Sequence, residues 1–184
     1  MKWSQLADQQ PALAAVAAAK LIDPGVVLVG TIRRDGRARI SGVEPLVLDG
    51  DLWLSMLPDS AKTADLRRDP RVVLNSIITS RAPDAEIKIQ ASARPQTSAA
   101  VHERYAAAVA AELGWQPVPG QFALFAIDIT DVTYIGSESG TGAQHVVRWP
   151  PGTEYLRPQL TPTSLGPPQQ VRRLLSATAQ EREG

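Results

Sequence analysis

A chain of 184 residues can bury a core of its own and is most simply one domain with appended segments. Its 43% hydrophobic and 21% charged residues are globular usage, and 19 Lys+Arg against 19 Asp+Glu leave no bulk charge for holding nucleic acid. With no cysteine, disulfides, thiolate nucleophiles, zinc–thiolate sites and iron–sulfur clusters are excluded.

Trp3 to Gln10 reads as a short helix, and Pro11 suits the first position of a second, where its missing N–H costs nothing. Leu13, Ala17 and Leu21 fall on one stripe beside Val16, so residues 1–24 are expected to be helices packed on a domain. This Ala-rich stretch is too short to cross a bilayer and has no basic segment before it, so a cytoplasmic protein without a membrane partner is expected.

A strand series follows. Gly25 to Arg33 is rich in β-branched residues and leads into Arg34-Asp35-Gly36, a hairpin signal. Arg37 to Leu48 is the return strand, with Gly42 and Pro45 marking a bulge or bend. After the Asp49-Gly50 turn, Asp51 to Leu57 is a third strand, apolar on both faces.

Pro58 to Arg71 predicts a short helix between strands, capped by Asp59 or Ser60 and ended by Asp69-Pro70. Lys62 is the odd residue: a cation in the first turn faces the positive end of the helix dipole. A bound anion reverses that balance, because free N–H groups, a hydroxyl and an ammonium then converge on one phosphate. The bland alternative is a solvated lysine on a surface helix. Arg67 and Arg68 are expected to pair with Asp65 and Asp69 on the surface, a contribution of ~0.5 kcal/mol.

Arg71 to Ile78 is a fourth strand and Thr79 to Ala85 a loop. In Glu86 to Arg94 apolar residues alternate with polar ones, the mark of a half-buried strand. Ala99 to Leu113 carries Val101, Tyr105, Val109 and Leu113 at helical spacing, with Gly114 as a stop. Gln121 to Ile135 is a long sixth strand that bends near Thr130-Asp131. The predicted class is mostly β with α (α+β): a six-stranded antiparallel split barrel over 25–137, with flanking helices. Residues 138–184 are Pro-rich and read as an arm or tail, with a short strand at Val146–Trp149 and a thinly apolar helix at Gln169–Glu183.

His102 and His145 lack partners at metal-ligand or triad spacing, so both read as surface histidines and no metal is expected. No glycine-rich phosphate loop or nucleophile elbow appears, so any chemistry is expected to belong to a bound cofactor.

Three stretches carry a resemblance: Gly30-Thr-Ile-Arg-Arg-Asp-Gly36, Val47-Leu-Asp-Gly-Asp-Leu-Trp-Leu-Ser55, and Ser60-Ala-Lys-Thr-Ala-Asp-Leu-Arg-Arg-Asp-Pro-Arg-Val72. They resemble the pyridoxamine 5′-phosphate oxidase-like split-barrel family over roughly Gly25 to Gly136. The resemblance implies a homodimer with a flavin in the groove between subunits, either FMN or the deazaflavin coenzyme F-420; a few relatives bind haem or have lost the cofactor. The Ala-, Arg- and Pro-rich composition, actinobacterial in character, tilts the choice slightly toward the deazaflavin. By resemblance, Lys62 and Ser60, with Ala61 and Thr63 between and beside them, match the motif that holds the cofactor phosphate. Arg39 and Ser41 fall where family members line the same groove, Ser55 and Leu57 lie beside the ring, and Lys88 and Gln90 approach from the fifth strand, on a face left open. No catalytic residue is assigned. The substrate-phosphate and C-terminal elements of true pyridoxamine-phosphate oxidases are not recognisable, which argues against vitamin B6 oxidation. The expected function is hydride transfer between the cofactor and a small organic substrate. A carrier that sequesters flavin, deazaflavin or haem is the alternative.

Overall fold

One strand organises the molecule. The computed structural model describes residues 1–78 and 85–175, and in it β7 (Ala123–Ser137) is fifteen residues long. Along one edge it pairs with β6 (Glu86–Gln96) over almost its whole length. Its other edge is shared: the first half pairs with β4 (Asp51–Met56) and the second with β8 (Gln144–Trp149). From β6 the sheet continues antiparallel through β5 (Arg71–Asn75) and β1 (Val27–Ile32) to β2 (Ala38–Val43). Beyond Glu44 the chain re-enters the sheet as β3 (Pro45–Leu48), which pairs with β4. The predicted return strand is thus two strands, one serving each side of the split. The β3–β4 turn is the predicted hairpin, with Asp49 and Gly50 both at positive φ, 54° and 76°.

Alternation decides which face is core. Ile87, Ile89, Ala91 and Ala93 of β6 are buried with Val27, Val29, Val72 and Leu74, while Lys88, Gln90 and Ser92 point the other way. The helices α1 (Trp3–Gln9) and α2 (Pro11–Ala17), the latter widening into a π turn at Ala18–Ile22, add Trp3, Leu6, Leu13, Ala17 and Leu21 to this core. A second cluster explains why β4 is apolar on both faces: Trp53 packs with Leu46, Leu124, Tyr105 and Val109 beneath α4 (Ala99–Leu113). No described helix is long and apolar enough to cross a membrane.

The segment read as an arm or tail joins the sheet: β8 and β9 (Thr153–Arg157) extend it from β7. The reason lies in β7, whose edge beyond Ile127 has no partner in β4 and is filled by β8. Two short strands, β10 (Gln159–Thr161) and β11 (Ser164–Leu165), pair with each other. Gln169–Gln170, expected to open a helix, instead forms β12 against β9. The rest of that predicted helix beyond Leu175, the loop residues 79–84 and the Leu113 side chain lie outside what is described.

Candidate functional site

The short helix α3 (Ala61–Arg68) follows β4, as its composition predicts. Ser60 caps it, accepting the Thr63 N–H at 3.3 Å. Thr63 Oγ1 donates to the Leu57 carbonyl at 2.8 Å, so in the 2.9 Å contact between the two hydroxyls the proton comes from Ser60. Both hydroxyls therefore hold the helix start, and Ser60 has no proton left for an anion. The donors that remain in the first turn are the N–H groups of Ala61 and Lys62, which have no protein partner among the described residues.

Lys62 is half-buried and has no ion pair among the described residues. It lines a cavity of about 370 Å³ with Ser55 and Leu57, closed opposite by Gly42, Val43 and Glu44. The Ser55 hydroxyl meets that of Tyr105, whose phenol burial pushes up, against the effect of that hydrogen bond. Glu44 puts a carboxylate on the far side, so an anion here would sit toward the helix start.

A second cleft, about 750 Å³, lies on the other flank of α3. Its floor is Ala61 and Ala64, and its walls are Arg33 and Arg34 of the β1–β2 hairpin together with Arg39 and Arg68. At its base Asp65 is only 4% exposed. Arg39 Nε donates to Asp65 Oδ2 at 2.7 Å, Thr31 Oγ1 to the same oxygen at 3.0 Å, and Arg68 reaches Oδ1 at 3.4 Å. Burial pushes the Asp65 carboxyl up, but the hydrogen bonds from Arg39 and Thr31, the Arg39 charge and the Arg68 contact outweigh it and hold the group below its ordinary value. Arg68 also donates to the Ile32 carbonyl. The expected surface pairing of Asp65 is thus corrected: Thr31 and Arg39 from the sheet make it a buried tie between α3 and β1–β2. Asp69 pairs instead with Arg71, and Arg67 donates to the Pro58 carbonyl.

A third cavity, about 630 Å³, is a groove across the outer face of β1, β2, β5 and β6, reached by Arg39, Ile40, Arg71, Val73 and Gln90.

The sequence pattern of the pyridoxamine 5′-phosphate oxidase family matches residues 13–136, spanning both flanks of α3 and all of the split sheet but its C-terminal extension. The chain belongs to that family. A search of curated proteins finds no match. Among solved structures the chain is similar to PhzG from Burkholderia lata 383 in complex with tetrahydrophenazine-1-carboxylic acid, at 16% identity and TM-score 0.55, covering 92% of this chain and 91% of that one. It is similar to a nimc/nima family protein from Clostridium acetobutylicum at 16% identity and TM-score 0.56, covering 79% of this chain and 96% of that one. An F420 reductase aligns at 12% identity and TM-score 0.50, over 62% of this chain and 94% of that one. At these identities the likeness is one of fold.

Of the residues singled out from the sequence of this family member, the structure gathers Lys62, Ser55 and Leu57 around one cavity. Ala61 and Arg39 belong to the arginine cleft on the opposite flank. Ser60 and Thr63 hold the cap between them. Ser41 sits opposite Val29 on the inward side of β2 and lines none of the three cavities. Lys88 and Gln90 turn to the outer face, Lys88 pairing with Glu86 and Gln90 reaching the groove. Neither histidine is a surface residue. His102 is buried, stacked on Phe122 at 4.7 Å with Nε2 2.9 Å from the Gln96 carbonyl. His145 is buried 2.7 Å from Glu154. Arg33, Arg34 and Glu44 were not singled out. The signal for the first two was available, a charged hairpin tip followed by Ala61 and Ala64 one turn apart on the helix that faces it.

Proposed function

We propose that the protein is a homodimeric cytoplasmic oxidoreductase that holds FMN or the deazaflavin coenzyme F-420 by its acidic group at the start of α3, with a small organic molecule as its redox partner. Lys62 carries the reading: a half-buried ammonium in the first turn, unpaired among the described residues, over a cavity in a chain of this family. Placing a cation there costs stability unless negative charge lies between it and the helix start, and the N–H groups of Ala61 and Lys62 supply donors for that charge. Bound flavin or deazaflavin supplies the hydride chemistry. The chain's own groups bind and orient: Lys62 meets the acidic group, Ser55 is fixed by Tyr105, and Leu57 gives the cavity an apolar lip. The similarity to an F420 reductase supports keeping the deazaflavin beside FMN.

Titration of the purified chain with each coenzyme, followed by visible absorption and fluorescence, is expected to show saturable binding of one of them. Lys62→Ala is expected to weaken it by about 10-fold or more. Unchanged affinity in the variant overturns the anchor. Among the residues lining this cavity only Lys62 and Glu44 carry a charged side chain, and that sparse set favours a second reading, a carrier without turnover. Binding with no oxidation of reduced coenzyme by any acceptor selects the carrier, and a Soret band selects haem.

The dimer reading rests on the outer face, where Ile40 is 71% and Val73 42% exposed on either side of Gly30, with Lys88, Gln90 and Ser92 as a polar rim. An apolar strip of this kind on a sheet suits a second copy of the chain. Ile40→Arg is expected to halve the mass measured by sedimentation, and an unchanged mass overturns this face as the interface.

A further inference from the structure

We infer that the cavity beside the start of α4 is a second binding site, bordered by residues 114–122 and suited to an uncharged aromatic molecule that carries an O–H or N–H donor. The cavity, about 520 Å³, shares no lining residue with the Lys62 cavity or with the arginine cleft. His102 forms part of its wall, together with Gln96, Phe122 and Phe125. The Gln96 carbonyl only accepts, so the ring nitrogen 2.9 Å from it, Nε2, carries the hydrogen and Nδ1 is left as a lone-pair acceptor. Among the described residues Nδ1 is the one buried side-chain polar atom with no hydrogen-bond partner. Buried acceptors are nearly always met, and an orphan on a ring that walls a cavity of ligand size marks where a donor belongs.

The surroundings decide what that donor is attached to. A hydrogen bond to Nδ1 lies in the plane of the imidazole, so the ligand meets the edge of His102 while its body lies among Phe122, Phe125, Pro95 and Pro119, a lining that suits an aromatic ring. Besides His102, the charged or titratable side chains of the wall are Arg67 and Glu103, opposite in sign and both exposed, so nothing there favours a net charge on the ligand. In the closed arrangement Phe122 stacks on the His102 ring, centroids 4.7 Å apart and planes 18° from parallel, and Nδ1 is sealed from water. Phe122 ends a segment held by little else. Among the described residues the backbone hydrogen bond of this segment beyond helix and sheet runs from Gln121 N–H to the Val118 carbonyl at 3.0 Å, a turn of its own. Gly114 and Gly120, at φ of 72° and 82°, stand at its start and near its end and give it hinges. Outward movement of the segment uncovers the edge of His102, and Trp115, 48% exposed on the same segment, reports it.

The test uses the full chain without coenzyme and does not depend on the Lys62 reading. Two probes, para-cresol and its methyl ether, differ in the donor. Titrated separately by calorimetry, para-cresol is expected to bind saturably and the ether about 5- to 10-fold more weakly. In nitrogen NMR para-cresol is expected to move the His102 Nδ1 resonance and to leave His145, the chain's other histidine, in place. It is also expected to change the tryptophan emission of the parent and not that of Trp115→Phe; equal changes in both overturn the role of residues 114–122. His102→Phe keeps a ring in the wall and removes the acceptor, so the two probes are expected to bind it alike. Ala99→Trp, at an exposed position on the cavity wall, is expected to abolish binding of both, and Lys62→Ala to leave it intact. The inference falls if para-cresol does not bind, if the ether binds the parent as tightly, if Ala99→Trp binds as the parent does, or if Lys62→Ala abolishes binding. In the last case the probe sits in the Lys62 cavity, and only the coenzyme reading is left.

Discussion

Two buried carboxylates meet the same physical difficulty at opposite ends of the molecule and resolve it differently. Asp65, under α3, is met by side chains: Arg39, Thr31 and Arg68. Glu154, on β9 and 2% exposed, is met mostly by backbone: the N–H groups of Arg173, Leu174 and Leu175 at 2.9–3.2 Å, plus His145 Nε2 at 2.7 Å. Backbone donors carry no net charge. They satisfy Glu154 completely, and the carboxylate becomes a clamp that draws the last described residues onto the sheet and seats Leu175 in the core. Guanidiniums overcompensate. Two of them on one carboxylate leave positive charge facing the cleft. What neutralises a buried acid therefore decides whether its surroundings end neutral or charged.

The sharpest way to break the comparison is Glu154→Gln. The amide keeps the shape but presents N–H where three backbone donors converge, leaving polar groups buried and unsatisfied. The expected loss is about 2–4 kcal/mol, read from urea unfolding. Acid unfolding gives a second reading. Burial pushes the Glu154 carboxyl up, but the backbone hydrogen bonds from Leu175, Leu174 and Arg173, with His145, outweigh it and hold the group below its ordinary value of 4.5. A lowered folded value means stability that is fully present above the unfolded one and is lost as pH falls through the folded one. The parent should therefore lose stability below about pH 4.5, and Glu154→Gln should show a flatter acid limb.

Asp65→Asn should cost less, about 1–2 kcal/mol, because Arg39 and Arg68 can turn toward water. A loss in urea unfolding as large as that of Glu154→Gln would mean that the arginines cannot relax, and the contrast with Glu154 would narrow to one of geometry.

Much of this was legible in the sequence where local chemistry decides the outcome. The Asp49-Gly50 turn, the alternation of β6 and the Ser60 cap depend on neighbours a few residues away. The split of the return strand at Glu44 was visible only as a bend near Gly42 and Pro45, because which strand each half pairs with is a long-range choice. Lys62 stood out through its wrong sign against the helix dipole. Asp65 did not, because an acid among arginines on a short helix has the pattern of a solvated face; its burial is imposed by Thr31 and Arg39, more than twenty residues away on the sheet. The same holds for His145 and Glu154. Nothing near them in sequence announces a clamp, since His145 meets Glu154 across a strand pair and the backbone donors to Glu154 come from Arg173 to Leu175.

The smallest expected effect is the most diagnostic of burial. Asp69 and Arg71 make an ion pair as short as any around Asp65, at 2.6 Å, yet the Arg71 side chain is 74% exposed. The Arg71 hydrogen bonds lower the Asp69 carboxyl to about 2. Solvent competes for both partners, so Asp69→Asn should leave the melting temperature unchanged within measurement. Salt should separate the two sites: following each carboxyl by NMR, added salt should return Asp69 toward its ordinary value and leave Asp65 where it is, because screening acts on exposed pairs and hardly on buried ones. Equal salt sensitivity at both would mean that water reaches Asp65 and that its side-chain partners protect it no better than an exposed pair is protected.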